Sequence, residues 1–417
     1  MNGSIYKRGT TWSYMLDIGV DPLTGKRKQK GKGGFRTKKD AQEAAANVRV
    51  QLGQGTYVEK KDMTFEEFSL LWVENYKKHG KVKKDGTFRV RDHERRSLMP
   101  FFKLLIMSTI TEEMYQNALI GLRAGGYINE EGGAADPLSY NTVKGIHTTG
   151  GMIFEFALKK KVINADPTDS AHVPQDEVTV ESLENNTEIP KFMEKEDLAI
   201  FLNTASIHGL DLDYEMFNTL AYTGMRAGEM CALKETDVSI ELDQININKT
   251  LYNPNNNYRK FKLTTPKTKT SIRVIDVERP LIEMLQNLIT TNKIEKSKKP
   301  NVYWDNRFVF AKKGEFAGCP QVIKMVELRM SRLLRLAGLS QDLTPHSLRH
   351  THTSLLAEAG VSLEQIMERL GHSDDKITKK IYLHITKSRK KEASQKFTEL
   401  MRGLKNESEV NKPLTTE

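Results

Sequence analysis

Residues 344–354 read TPHSLRHTHTS, which places His346, Arg349, His350 and His352 within seven positions. Thr344 and Pro345 make a good helix start, so His346 and Arg349 stand one turn apart on one face. A zinc site would use His346 and His350 at i, i+4, but no Glu follows His346 and no third ligand is evident. A phosphate site explains the arginine, which zinc does not.

Working outward, LEQIMERLGHSDDKITKKIYLHIT (363–386) carries Leu363, Ile366 and Leu370 as a helical stripe. Gly371 follows as its C-cap, then His372, then a basic helix bearing Tyr382. In isolation Tyr382 reads as a packed aromatic. Upstream, AYTGMRAGEMCALK (221–234) has Gly224 where one helix ends and a second begins, which puts Arg226 near a helix N-terminus. TTPKTKTSIRVIDV (264–277) reads as a hairpin with Lys267 and Lys269 at its tip. Taken singly, the arginine reads as a surface side chain and the hairpin as a solvated turn.

The 417 residues exceed one ordinary core, and 38% apolar against 28% charged residues suits a globular chain. No apolar run reaches the roughly 18 residues of a membrane span, and the start, MNGSIYKRGTTWSY, has no signal-peptide h-region. Two cysteines, Cys231 and Cys319, are too few for a disulfide framework, which points to a reducing cytoplasm. A formal net charge of +10 points to a polyanionic partner.

That charge is uneven. Residues 1–60 hold twelve Lys or Arg against five acids. TWSYMLDIG and KRKQKGKGGF alternate as two strands joined by DPLTGK, and a helix capped by Thr37 follows, ending at Gly53 and Gly55. The region is either a solvated surface or a duplex-binding module. Concentration of charge on one strand favours the second, with Lys26, Arg27, Lys28, Lys30 and Lys32 as DNA contacts. From 64 to about 165 the periodicity is helical, with Phe65, Phe68, Leu71, Trp72 and Tyr76 as one stripe. Lys144, Lys159, Lys160 and Lys161 punctuate the last helices; the first three join the expected DNA contacts. A polar, proline-flanked stretch at 167–190 reads as a linker. Beyond it the chain is mixed, with helices near 194–205 and 211–222, strands near 243–250, 260–264 and 271–277, and helices again from about 321. RKKEASQKFTELMRGL (389–404) forms a last amphipathic helix.

In combination these elements carry more than they do singly. G-M-R-A-G-E, a lysine hairpin, H-S-L-R-H, L-G-H and a tyrosine ten residues later, in that order, resemble the catalytic set of the tyrosine recombinases, the phage-integrase family. The likeness extends over the chain and is greatest to integrases of temperate phages or of conjugative transposons of Gram-positive bacteria. It implies a multidomain protein. A β-sheet-plus-helix arm-type DNA-binding domain (1–60) would precede an all-α core-binding bundle (63–166), the linker (167–190), a mixed α+β, mainly helical catalytic domain (191–404) and a disordered tail (405–417).

The resemblance also implies roles. Tyr382 would attack the scissile phosphorus and form a 3′-phosphotyrosyl link. Arg226 and Arg349 would clamp the phosphate, His372 would add a donor, His346 would take the tyrosine proton, and Lys267 would protonate the leaving 5′-oxygen. Lys269 is the alternative lysine. Glu229 and His350 match supporting positions, and His384 matches a position without a derivable role. Neither metal nor other cofactor is required. The implied partners are double-stranded DNA at core and arm sites, three further copies in a tetramer coupled by the 389–404 helix, and DNA-bending and directionality factors. The implied setting is a bacterial cytoplasm, on the nucleoid. Two other readings are a topoisomerase-like relaxing enzyme and a non-catalytic DNA-binding protein on the same scaffold.

Overall fold

The computed structural model describes residues 3–20, 27–53, 63–80, 85–129, 131–176, 191–266, 269–371, 376–386 and 398. The chain divides into two compact units, Met1–Val178 and Thr179–Glu417.

The first unit opens with an antiparallel three-stranded sheet of β1 (Gly3–Arg8), β2 (Thr11–Val20) and β3 (Arg27–Phe35), in that spatial order. The sequence reading had two of these strands and missed β1. Tyr14 and Leu16 on β2 are buried with Ala45 of helix α1 (Lys38–Gly53), so α1 covers one face of the sheet. Thr37 starts α1 as expected: its Oγ1 accepts from the Asp40 amide at 3.1 Å. The register pairs Leu16 with Lys30 and Tyr14 with Lys32. Directly opposed residues share a face, so both lysines edge the helix-covered side, with Lys32 Nζ 5.9 Å from the Phe35 ring centroid. The other face of β3 carries Gln29, Gly31 and Gly33, all exposed. A Cβ at Gly33 would lie 2.6 Å from Ser13 Oγ.

A helical cluster follows: α2 (Phe65–His79), α3 (Asp85–Arg96), α4 (Met99–Phe102), α5 (Glu112–Ala124) and α6 (Tyr140–Lys159). A reciprocal Thr64–Glu67 cap starts α2. Phe65, Phe68, Trp72, Phe102, Tyr115 and Phe154 fill the core. Leu71 departs from expectation and is 46% exposed, whereas Val73 is buried. At 3.6 residues per turn Leu71 lies about 100° round from Trp72, outside the stripe that Phe65, Trp72 and Tyr76 define. Of the stretch expected as linker, Thr168 and Val173 are buried against this unit, and Arg123 Nε donates to the Pro174 carbonyl at 3.2 Å. Residues 177–190 lie outside the described residues.

The second unit packs α7 (Lys195–His208), α8 (Asp213–Thr223), the short α9 (Ala227–Cys231), α10 (Arg279–Lys298), α11 (Ile323–Ala337), α12 (Pro345–Glu358) and α13 (Leu363–Leu370). Phe201, Phe217, Met230, Ile245, Leu285, Val326 and Leu348 belong to its core. β4 (Val238–Ser239), β5 (Gln244–Ile247) and β8 (Arg273–Asp276) form one antiparallel sheet in that order, and β6 (Thr250–Tyr252) pairs with β7 (Lys262–Thr264) in a second. This corrects the expected lysine hairpin. β7 and β8 flank the lysines but pair with different partners, because two strands adjacent in sequence each found a better-placed apolar neighbour elsewhere: Leu263 faces Leu251, and Ile275 faces Ile245. Among the described residues no helix is long and apolar enough to cross a membrane.

Candidate active site

The site-bearing segments all lie in the second unit. Gly224 ends α8 in the left-handed region at φ +62°, its amide bonded to the Leu220 carbonyl. A Cβ there would lie 2.6 Å from the His352 ring and 2.8 Å from Leu370 Cδ2, so only glycine lets this turn close on α12 and α13. Two residues later Arg226 precedes α9. Its Nη1 donates to Glu229 Oε1 and its amide to Glu229 Oε2, both at 2.9 Å, and its side chain is 38% exposed.

Glu229 is itself buried. Burial alone would raise its pKa, but the charge and hydrogen bond of Arg273, followed by Arg226, pull it below the usual carboxylate value. Arg273 Nη2 reaches Glu229 Oε2 at 3.1 Å. The carboxylate is therefore ionised between a buried guanidinium and an accessible one.

Arg349, on α12, is 1% exposed. Its Nη1 donates to the Gly224 carbonyl at 2.8 Å and its Nη2 to the Leu370 carbonyl at 2.6 Å. One side chain thus ties the Arg226 turn to the end of α13, where Gly371 caps the helix at φ +71° as its position in the sequence implied. His346 stands exposed in the first turn of α12, its ring centroid 4.6 Å from that of His350 in a T-shaped pair. Among the described residues no group of three or more His, Cys, Asp or Glu side chains is placed to hold a metal.

Tyr382 lies on a helical run at 376–386. Its ring is partly buried against the Ala357, Ile366 and Leu370 cluster, alongside Leu356, Val361 and Ile385. The tyrosine helix therefore rests on the two helices that carry Arg349 and lead to Gly371. Lys267, His372 and Lys26 lie outside the described residues, as do all of 389–404 except Thr398; Lys28 and Lys269 are described only in their backbone. Arg27 pairs with Asp17 at 2.6 Å, Lys159 pairs with Glu155 at 2.5 Å, and Lys144 and Lys160 sit over the rings of Tyr140 and Phe156.

The sequence reading passed over Arg273, Arg369 and the role of His352. Arg369 Nε donates to His352 Nε2, and its Nη1 and Nη2 reach the carbonyls of Asp276 and Tyr222 at 2.9 and 3.3 Å. The signal available in the sequence was weak: Arg369 stands two residues before Gly371, and Arg273 four residues after Lys269.

Residues 191–389 match the phage integrase family, and residues 4–52 match an arm DNA-binding domain. Residues 191–389 thus form a phage integrase family domain. The integrase of Staphylococcus phage L54a is 31% identical over 239 residues, covering 56% of this chain and 66% of that one. The match thus spans just under two thirds of that relative's length. Among solved structures, the Tn1549 transposon integrase in complex with transposon right end DNA superimposes with a TM-score of 0.59 at 20% identity, covering 80% of this chain and all of that one. A lambda integrase tetramer bound to a Holliday junction gives 0.51 at 16% identity over 90% of this chain and 94% of that one. The fold, a small sheet domain followed by a mainly helical body, is the tyrosine recombinase fold of the Tn1549 and lambda integrases.

Proposed function

We propose that this chain is a site-specific DNA recombinase that integrates and excises a mobile element through a 3′-phosphotyrosyl intermediate. The observation that carries the reading is the Arg349 brace: one guanidinium holds the Gly224 turn, and with it Arg226, against the α13 end that leads to His372. In this reading Tyr382 Oη forms a bond to phosphorus as the bond from phosphorus to the 5′-oxygen breaks. His346 accepts the phenol proton and Lys267, or Lys269 in its place, protonates the departing 5′-oxygen. A free phenol has a reference pKa of about 10, so attack at neutral pH requires a base to take its proton. Arg226, with His372, neutralises the non-bridging oxygens. Arg349 contributes its place in that cradle together with its hold on the two carbonyls. The phosphotyrosyl bond conserves the energy of the diester, so a new 5′-hydroxyl attacking it restores DNA and releases the tyrosine.

The first 60 residues supply arm-site binding, residues 63–166 core-site binding, and residues 191–404 the chemistry, on either side of the 167–190 linker. Lys26, then Arg27, Lys28, Lys30 and Lys32 on β3, with Lys144 and Lys159 on α6 and Lys160 just beyond it, contribute phosphate contacts. Four copies act together on two synapsed duplexes, with bending and directionality factors, on the host nucleoid in a bacterial cytoplasm. The likeness to the solved lambda integrase tetramer supports this assembly.

The test is a nicked suicide duplex bearing a candidate core site. The expected result is a covalent protein–DNA adduct that vanishes in Tyr382→Phe while DNA binding persists. Relaxation of supercoils without exchange between sites would place the chain among relaxing enzymes instead, and DNA binding without any adduct would make it a non-catalytic binder.

A further inference from the structure

Arg273 begins β8, is 8% exposed, and belongs to no part of the motif set. Its three nitrogens go to three different segments. Nη2 donates to Glu229 Oε2 at 3.1 Å, and Glu229 holds Arg226. Nε donates to the Arg369 carbonyl at 2.7 Å, two residues before Gly371. Nη1 donates to the Ser271 carbonyl at 3.1 Å, on the chain leaving the lysine stretch. The last two segments also touch each other. Ser271 Oγ donates to the Gly371 carbonyl at 3.4 Å, and a Cβ on Gly371 would lie 3.0 Å from Ser271 Cα and from the Thr270 carbonyl.

We propose that Arg273 is a positioning residue that fixes the relative placement of the Arg226 turn, the lysine stretch and the turn leading into His372. The inference rests on the recombinase reading above. A guanidinium is planar and its donors leave in fixed directions, so three segments bound to one fork cannot shift independently. The charge matters as well as the geometry. Arg226 paired with Glu229 alone would form a neutral couple with little pull on a phosphate. The second guanidinium on the same carboxylate leaves the Arg226–Glu229–Arg273 triad with one net positive charge, at its accessible end.

The experiment uses full-length Arg273→Met and Arg273→Lys. Cleavage of the suicide duplex at saturating DNA is measured beside DNA affinity, melting temperature and amide hydrogen exchange. Both variants are expected to bind DNA within about threefold of the parent but to cleave about a hundredfold more slowly, the scale of loss for a displaced catalytic group. Combined with Glu229→Gln, either variant should lose little more than the single substitutions do. Exchange should quicken together at residues 226–231, 269–271 and 369–371. Parental cleavage in a folded variant would overturn the proposal, as would faster exchange confined to β8. Should Arg273→Met fail to fold, Arg273→Lys carries the test, because it keeps the buried charge without the fork. Should the parent form no adduct on any duplex, the recombinase reading fails, while exchange at the three segments still reports whether Arg273 links them.

Discussion

Arg369 donates through Nε to Nε2 of His352 at 3.1 Å, while Nδ1 of the same ring stands 2.9 Å from the Ala221 carbonyl. One ring nitrogen must accept and the other must donate, which fixes a neutral imidazole protonated on Nδ1. Desolvation, with the charges of Arg369, Arg349 and Arg273 facing the ring, lowers its pKa to about 3 against the opposing hydrogen bond to Ala221.

That shift sets a pH dependence of stability. The unfolded imidazole takes up its proton near pH 6.5, so below that pH the unfolded chain binds more protons than the folded one. Stability should therefore be complete above pH 6.5 and decline as pH falls toward 3, with a limiting slope of about 1.4 kcal/mol per pH unit. Urea midpoints at pH 7 and pH 4.5 check this; in His352→Gln the difference between them should shrink.

Glu229 tests the electrostatics of the same region. Removing a buried carboxylate from between two guanidinium groups leaves Arg273 uncompensated, so Glu229→Ala should cost about 3 kcal/mol or more. Glu229→Gln, which keeps an acceptor, should cost less. Because the folded pKa of Glu229 is depressed, its ionic contribution is present above the ordinary carboxylate range and lost as pH falls through its lowered folded value. Denaturant titrations of the parent and both variants separate these effects.

Two glycines with similar backbone angles should differ in tolerance. Gly338 and Gly371 have φ of +69° and +71°, but a Cβ at Gly338 meets nothing within 4 Å, whereas one at Gly371 meets backbone at 3.0 Å. Gly338→Ala should cost about 1–2 kcal/mol from conformation alone. Gly371→Ala should cost more and also slow DNA cleavage. Melting curves rank the two, and the suicide duplex reads the second effect.

On the sheet of the first unit, Lys30→Gln and Lys32→Gln should weaken duplex binding evenly across sequences and each lower the salt slope by about 1. Anisotropy titrations from low to moderate salt check this. A loss dependent on base sequence, with an unchanged slope, would count against phosphate contacts.

Much of this was legible in the residues because its signals are local. Thr37 announces a helix start through its hydroxyl and Gly371 a helix end through the left-handed φ that its missing Cβ permits, and the spacing from His346 to Arg349 is a property of one helix turn. What stayed hidden depends on contacts between distant segments. Arg273 reads in sequence as one more cation on a strand, since its importance comes from Glu229 and Arg369, 44 and 96 residues away. The lysine hairpin was misread for the same reason. Polar turn residues between two apolar runs say that the chain bends, but not which partner each run finds. Leu71 shows that an apolar residue one step off a stripe is easily counted into it.

The parting of β7 and β8 bears on how such a chain tolerates change. In a hairpin, adding or deleting a residue at the tip slides one arm past the other and turns every side chain on it to the wrong face. Here, among the described residues, β7 and β8 belong to different ladders, so Leu263 stays opposite Leu251 and Ile275 opposite Ile245 whatever the length between them. The lysine-bearing segment is thereby free to lengthen or shorten over evolutionary time without disturbing either ladder.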